Sequence, residues 1–257
     1  MAGKDTIRFL YGEAAATVGT AHGRYLIVGD LHIGLESEFV RKGINLYNAT
    51  EFMSNKIRKM AESEDVKGII VLGDVKETLL YPTMSDRKKI TDFFSALAKY
   101  EVVITKGNHD SYLDEILQSA GVSLVDEHII DDFAFLHGHK WPSEAAMGCS
   151  VIFAAHNHIA VQIVDENKAI YTQKAWLVAK LNSKAARERY QKFHKGASLI
   201  ILPAFNDLIV GTPVNKIIGN NLSPLLRSHT FEYDTAQVYG IQGALLGTPK
   251  SLRIKEQ

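Results

Sequence analysis

One pattern constrains this chain more than any other: a short, β-rich apolar run ending in a cluster of Asp, Asn or His occurs five times. Tyr25–Val28 leads into Gly29-Asp30-Leu31-His32, Ile69–Leu72 into Gly73-Asp74, and Val102–Thr105 into Gly107-Asn108-His109-Asp110. Phe133–Leu136 then leads into His137-Gly138-His139, and Val151–Ala154 into His156-Asn157-His158. Each run is too short for a helix and rich in β-branched or aromatic residues, so each reads as a buried strand.

The stretches between the early runs read as helices. Asn48-Ala-Thr-Glu51 offers an N-cap ahead of Phe52, Ile57 and Met60, and Asp86 to Tyr100 places Ile90, Phe93, Phe94 and Leu97 on one face. Ser111-Tyr-Leu-Asp114 opens a third candidate before Ile116 and Leu117. Alternating strands and helices imply an α/β fold with a mostly parallel sheet, in which ligands gather beyond the carboxyl ends of the strands. After His158 the strand candidates 161–164, 169–172 and 174–181 follow one another with no helix-length spacer, which looks antiparallel.

The clusters supply oxygen and imidazole donors and no thiolate, a mixture suited to first-row divalent metals. Where a strand ends and the chain turns, residues i and i+2 can reach one ion, which accounts for Asp30 with His32 and for His156 with His158. Asp74 stands alone after its strand, and its two oxygens make it the natural bridge between two cations. The glycines before Asp30, Asp74 and Asn108 allow the backbone to come close to a ligand. Other chemistries are poorly served. There is no Gly-x-Ser-x-Gly elbow, residues 243–251 lack the spacing of a phosphate loop, and nothing marks Cys149 as a nucleophile.

Composition bounds the partners. Lys plus Arg equals Asp plus Glu at 29 each, so no net field draws in a polyanion or an anionic membrane, and any nucleic-acid contact must be local. The basic segment 184–195 reads first as a solvated face. No apolar run approaches the roughly 20 residues that span a bilayer, so no membrane partner is expected. One cysteine and a start without a signal-peptide stretch point to a reduced, cytoplasmic protein.

Taken together, GDLH at 29–32, GD at 73–74, GNHD at 107–110, HGH at 137–139 and AHNH at 155–158 resemble the five signature blocks of the calcineurin-like metallophosphoesterases, over roughly residues 25 to 160. Within that superfamily, GDLHIGLE and LPAFNDLIVGTPVN are similar to small archaeal phosphoesterases related to the SbcD nuclease subunit. The resemblance implies a two-sheet β-sandwich flanked by helices, in four layers. Residues 1–257 would form one domain, with its core at about 20–182 and an extension, 183–257, completing the second sheet.

By the same resemblance, Asp30, His32 and His158 would hold one ion and Asp74 would bridge to the second, completed by Asn108, His137 and His156. His109, oriented by Asp110, would donate to the departing oxygen. The cofactors would be two divalent ions, manganese first, with iron or zinc as alternatives. Such a pair, about 3.5–4 Å apart, makes hydroxide available near neutral pH for attack on a phosphate ester. The substrate implied is a phosphodiester, with nucleic acid as one form. A phosphomonoester, a small nucleotide, a homodimer that builds a groove, and a non-catalytic scaffold on the same fold all stay open. So do two local roles: Lys76 as a phosphate contact or a solvated side chain, the latter preferred, and His139 as a support for the ligands or the exit of a turn.

Overall fold

The computed structural model describes residues 6–44, 46, 48–216 and 223–254. Its first sheet has six strands in the order β1 (Ile7–Phe9), β2 (Ala16–Thr20), β3 (Gly23–Val28), β4 (Gly68–Val71), β5 (Glu101–Thr105) and β6 (Ser123–Val125). β3 to β6 run parallel, while β1 and β2 join as antiparallel neighbours. The second sheet has nine strands. They are β7 (Glu127–Ile130), β8 (Phe133–Leu136), β9 (Val151–Ala154), β10 (Ile159–Val164), β11 (Ile170–Lys180), β12 (Ser198–Ile201), β13 (Thr212–Pro213), β14 (Gln237–Gly240) and β15 (Leu245–Gly247). The main order is β13-β10-β11-β12-β9-β8-β7, with β14 paired to β11 and β15 to β14. Residues beyond 183 therefore supply β12 to β15 of this sheet.

Side-chain alternation along the strands assigns the layers. Tyr25, Ile27, Ile70 and Leu72 face Phe133, Phe135, Phe153, Trp176 and Ile200 in a core between the sheets. Their neighbours Leu26, Val28, Ile69, Val71 and Ile104 turn the other way. They pack under the helices α1 (Glu36–Arg41), α2 (Ala49–Ser63), α3 (Met84–Ser95) and α4 (Asp114–Ser119), where Ile57, Ile90, Phe93, Phe94 and Leu117 are buried. On the far face of the second sheet, Ala134, Ile152, Leu177 and Leu199 are covered by α5 (Glu144–Met147) and α7 (Pro224–Arg227), and α6 (Ser183–Arg187) follows β11. The result is helices, sheet, sheet, helices: the expected four-layer α/β sandwich.

All five apolar runs are strands. Three local expectations differ. Asn48 does precede α2, but its φ of 61° is left-handed and its side chain caps nothing, while Phe52 points to solvent. The capping box lies instead at Thr83, whose hydroxyl accepts from Asp86 N–H while the Asp86 carboxylate accepts from Thr83 N–H, so α3 begins two residues earlier than Asp86. The segments 169–172 and 174–181 belong to one strand, β11, which pairs with β10 along one part of its length and with β12 and β14 along another. No helix among the described residues is long and apolar enough to cross a membrane.

Candidate metal centre

β3, β4 and β5 are parallel, as are β8, β9 and β12, and the polar clusters follow the carboxyl ends of both sets. Sheet pairing continues past the strands into the loops: Asp30 N–H donates to Gly73 O at 3.1 Å, His32 N–H to Asp74 O at 2.9 Å and Ile33 N–H to Val75 O at 2.8 Å. Ala155 N–H donates to His137 O at 2.9 Å on the other side. The loops are thus held in register before any side chain is considered.

The glycines act by closeness. A Cβ on Gly73 would lie 2.7 Å from His137 Nδ1 and from Thr105 O, and one on Gly107 would collide with the Asp74 carboxylate. Gly29 meets the partner sheet, where its Cβ would stand 2.9 Å from that of Ala155. Asp30, His32, Asp74, His156 and His158 also take positive φ, between 43° and 67°, a region that costs a non-glycine residue free energy and is held only where the surroundings impose it.

Two donor sets share one carboxylate. Asp30, His32, Asp74 and His158 form a group whose candidate ligand atoms all lie within 4.8 Å of one another, and Asp74, His137 and His156 form another. His137 donates Nδ1–H to Leu72 O at 2.8 Å, which turns Nε2 toward Asp74 Oδ2 at 3.2 Å and Asn108 Oδ1 at 3.2 Å. His32 and His158 bring their Nε2 atoms to 3.2 Å, with Asp30 Oδ1 3.4 Å from His158 Nε2. The other six sequence-predicted ligand residues are therefore gathered around Asp74, Asn108 by way of its contact with His137.

A cation suits this arrangement. Asp30 Oδ2 is buried with no hydrogen-bond partner, a costly state for a carboxylate oxygen. With Nδ1–H of His32 donated to Glu77 Oε2 at 2.7 Å, the neutral ring turns the lone pair of its Nε2 toward His158 Nε2, 3.2 Å away. A proton or a metal must stand there. The apoprotein answers with protons: burial opposes the charge on His137, but the hydrogen bond and charge of Asp74, with the charge of Asp30, raise it to about 9. Asp74 is resisted by burial in turn, yet His137, His109 N–H and His32 hold it well below the usual carboxylate range. Burial pushes His156 down to about 4, aided by the charge on His137, and leaves it neutral and ready to ligate.

His109 stands beside the pair. Its N–H donates to Asp74 Oδ1 at 2.9 Å and its ring Nδ1 to the carbonyl of Glu77 at 2.5 Å, leaving Nε2 free. Asp110, expected to orient this ring, does something else. Its carboxylate accepts from Gly107 N–H at 2.8 Å and Val75 N–H at 2.7 Å, clamping the two metal loops together. The ring is oriented by Glu77, which also buttresses His32 through its carboxylate. Glu77 carries no signal in the sequence beyond lying three residues after Asp74.

Lys76 is neither solvated nor a phosphate contact. It is 0% exposed, and its ammonium donates to Thr78 O and to Leu80 O, so it folds the loop that carries Glu77 back on itself. His139 packs its ring 5.2 Å from that of His137, and burial pushes it down to about 4, so it is a neutral support of the second donor set. Asn206 was also missed: its amide donates to Leu31 O at 2.8 Å from 175 residues away, bracing the loop that carries His32. The basic segment is a solvated face, as expected: Lys184, Arg187, Arg189, Lys192 and Lys195 are all exposed, and the Arg189 guanidinium lies 4.0 Å from the Trp141 ring centroid.

The calcineurin-like phosphoesterase profile matches residues 23–196, the span that holds every one of these ligands. Among solved structures, the nuclease MPE of Pseudomonas putida is similar over 92% of this chain and 98% of its own, with a TM-score of 0.56 and 18% identity. The E. coli phosphoesterase Yfce aligns over 87% of this chain and 96% of its own at a TM-score of 0.40 and 13% identity. No protein of curated function matches the sequence. Because the matched span is more than half of the 257 residues, the chain belongs to the calcineurin-like phosphoesterase family.

Proposed function

We propose that this chain is a dinuclear, metal-dependent phosphodiesterase acting on nucleic acid, with manganese as its working ion. The observation that carries this reading is Asp74, one buried carboxylate common to two donor sets built from oxygen and imidazole. Asp30, His32, Asp74 and His158 would hold one ion, and Asp74, Asn108, His137 and His156 the other. Bound there, two divalent ions would polarise the phosphate ester and supply the attacking oxygen.

The remaining steps belong to the chain. With Nδ1 committed to the Glu77 carbonyl, a protonated His109 presents Nε2–H, the group suited to meet the departing oxygen. Asp110 and the glycines keep the metal loops from moving apart. A diester in nucleic acid is favoured by the resemblance to SbcD-related phosphoesterases and by the fold shared with a bacterial nuclease. The single buried, unpaired Cys149 accords with a reducing, cytoplasmic setting.

The test is a panel at fixed metal and low salt: a nitrophenyl monoester, the matching diester, cyclic nucleotides, and single- and double-stranded DNA. Turnover of the diester and of DNA, dependent on added manganese and abolished in Asp74→Ala, is the expected result. Hydrolysis of the monoester alone would overturn the diester assignment, and no metal-dependent hydrolysis of any substrate would overturn the enzyme.

A further inference from the structure

The two loops that fix His109 also carry an unpaired aromatic surface. The loop after Glu77 exposes Leu79, Leu80, Tyr81 and Met84, at 60%, 76%, 58% and 82%, and three residues beyond His109 stands Tyr112, also 58% exposed. Apolar side chains this exposed and this close together mark a contact surface rather than a core. The two tyrosine rings lie 5.6 Å apart at an interplanar angle of 59°.

Neither ring is loose. Tyr81 OH accepts from Arg87 Nη2 at 2.6 Å, and the Arg87 guanidinium lies 5.2 Å from the ring centroid while its other contact, Glu115, ties it to α4 at 3.1 Å. Behind Tyr81, the ammonium of buried Lys76 holds the carbonyls of Thr78 and Leu80. Tyr112 takes a φ of 66°, a left-handed conformation that sets the direction of its ring and that few residues of its size adopt. Two aromatic faces are thus preorganised on the loops that carry the proposed proton donor and its anchor.

We propose that Tyr81 and Tyr112 form a stacking platform for a nucleobase adjoining the scissile phosphate, which makes the substrate a strand with an unpaired base rather than an intact duplex. The inference rests on the phosphodiesterase reading above and adds the substrate class to it. Base stacking on aromatic side chains is tolerant of sequence, because every base has a π-face. Bases paired inside a helix present no free face to such a platform, whereas frayed ends and single strands do.

The experiment mixes manganese-loaded protein with a short single strand carrying 2-aminopurine in a stopped-flow instrument, then follows turnover of the same strand and of an equally long abasic strand. Fluorescence should be quenched before cleavage. In Tyr81→Ala/Tyr112→Asn the quench should disappear and KM for the base-bearing strand rise about tenfold or more, while cleavage of the abasic strand is unchanged. Asn suits the left-handed position, so the backbone at residue 112 is kept. Tyr81→Phe, which keeps the ring beside the Arg87 guanidinium but loses the hydroxyl anchor, should retain the quench and a KM well below that of the double variant; loss of the quench equal to that of the double variant would overturn stacking on the ring.

Equal cleavage of both strands by the wild type, with no quench, would overturn the platform and leave the phosphodiesterase intact. Cleavage of neither strand would overturn the phosphodiesterase itself. A wild-type dimer that the double substitution converts to monomer, measured by light scattering, would overturn the platform in favour of an interface between copies of the chain.

Discussion

Loading the metal-free protein with a divalent cation should evict protons, and the structure says how many and over which pH range. The His137 ring is buried, donates Nδ1–H to Leu72 O and faces Asp74 Oδ2 with Nε2, 3.2 Å away. Burial alone would favour the neutral ring, but Asp74 and Asp30 outweigh it and raise the pKa to about 9. At pH 7 the ring is then a cation in roughly 99 molecules of 100, with no lone pair at Nε2 to give a metal. His32 shifts in the same direction, because Glu77, Asp30 and Asp74 overcome its burial. Apparent metal affinity should climb nearly tenfold per pH unit just above pH 7 and level off near 9, with the raised pKa of His32 adding to the climb. Calorimetry in two buffers of different ionisation enthalpy should report between about one and two protons released per protein at pH 7, and less than half as many at pH 9.5. The sign for folding follows. In the metal-free protein the raised pKa of His137 contributes stability that is fully present below the unfolded value of 6.5 and is lost as pH rises through about 9. The depressed pKa of Asp74 contributes stability above its ordinary 3.8 that is lost only on acidification below it. Affinity that stays flat from pH 7 to 9, with heats independent of buffer, would refute the assignment of His137 as a ligand.

Two further outcomes separate the roles of neighbouring residues. Glu77→Gln keeps the backbone carbonyl that anchors His109 but weakens the 2.7 Å contact to His32, so metal affinity, measured against a fluorescent chelator, should fall about tenfold; unchanged affinity would remove the buttress. His109→Ala should keep both ions by anomalous scattering yet lose most turnover, with the smallest loss on substrates whose leaving groups need no proton; equal loss across leaving groups would remove the proton donor.

The candidate metal ligands were legible in the sequence because each is an identity at a fixed place, the end of a strand-like run, and both donor sets follow from the fold once those strands lie side by side. What escaped was set by contacts between distant or competing groups. Asn48-x-x-Glu51 and Thr83-x-x-Asp86 are similar as strings, but only the second brings an extended residue into capping geometry; Asn48 arrives left-handed. The gap expected at Gln173, between the candidates 169–172 and 174–181, does not exist: Gln173 pairs with Val161, and the Lys174 ammonium is drawn off to Asp207 at 2.9 Å while the strand runs on. Glu77 and Asn206 reach the His32 loop across 45 and 175 residues, and no local spacing encodes such pairings. Lys76 looked solvated because lysines usually are, yet the carbonyls of its own loop offered enough acceptors to hold its ammonium inside.

The left-handed residues explain why the ligands pair at i and i+2 at all. In an extended strand, Asp30 and Leu31 would point to opposite faces, and Asp30 and His32 would share a face but stand too far apart along it to grip one ion with Asp74. Positive φ at Asp30 and again at His32 curls the chain so that both side chains enter the same space, and His156 with His158 repeats the device from the other sheet. Each such conformation costs on the order of 1–3 kcal/mol. The loops tolerate it because backbone bonds between them, with the Asp110 clamp on Val75 and Gly107, leave no relaxed alternative. The buried, unpartnered Asp30 Oδ2 adds a second cost in the same place. Strain at five of the candidate ligands, Asp74 among them, and an unsatisfied anion in the same place are hard to reconcile with a site selected for folding stability. They are what a site needs if its geometry must be in place before the cation arrives.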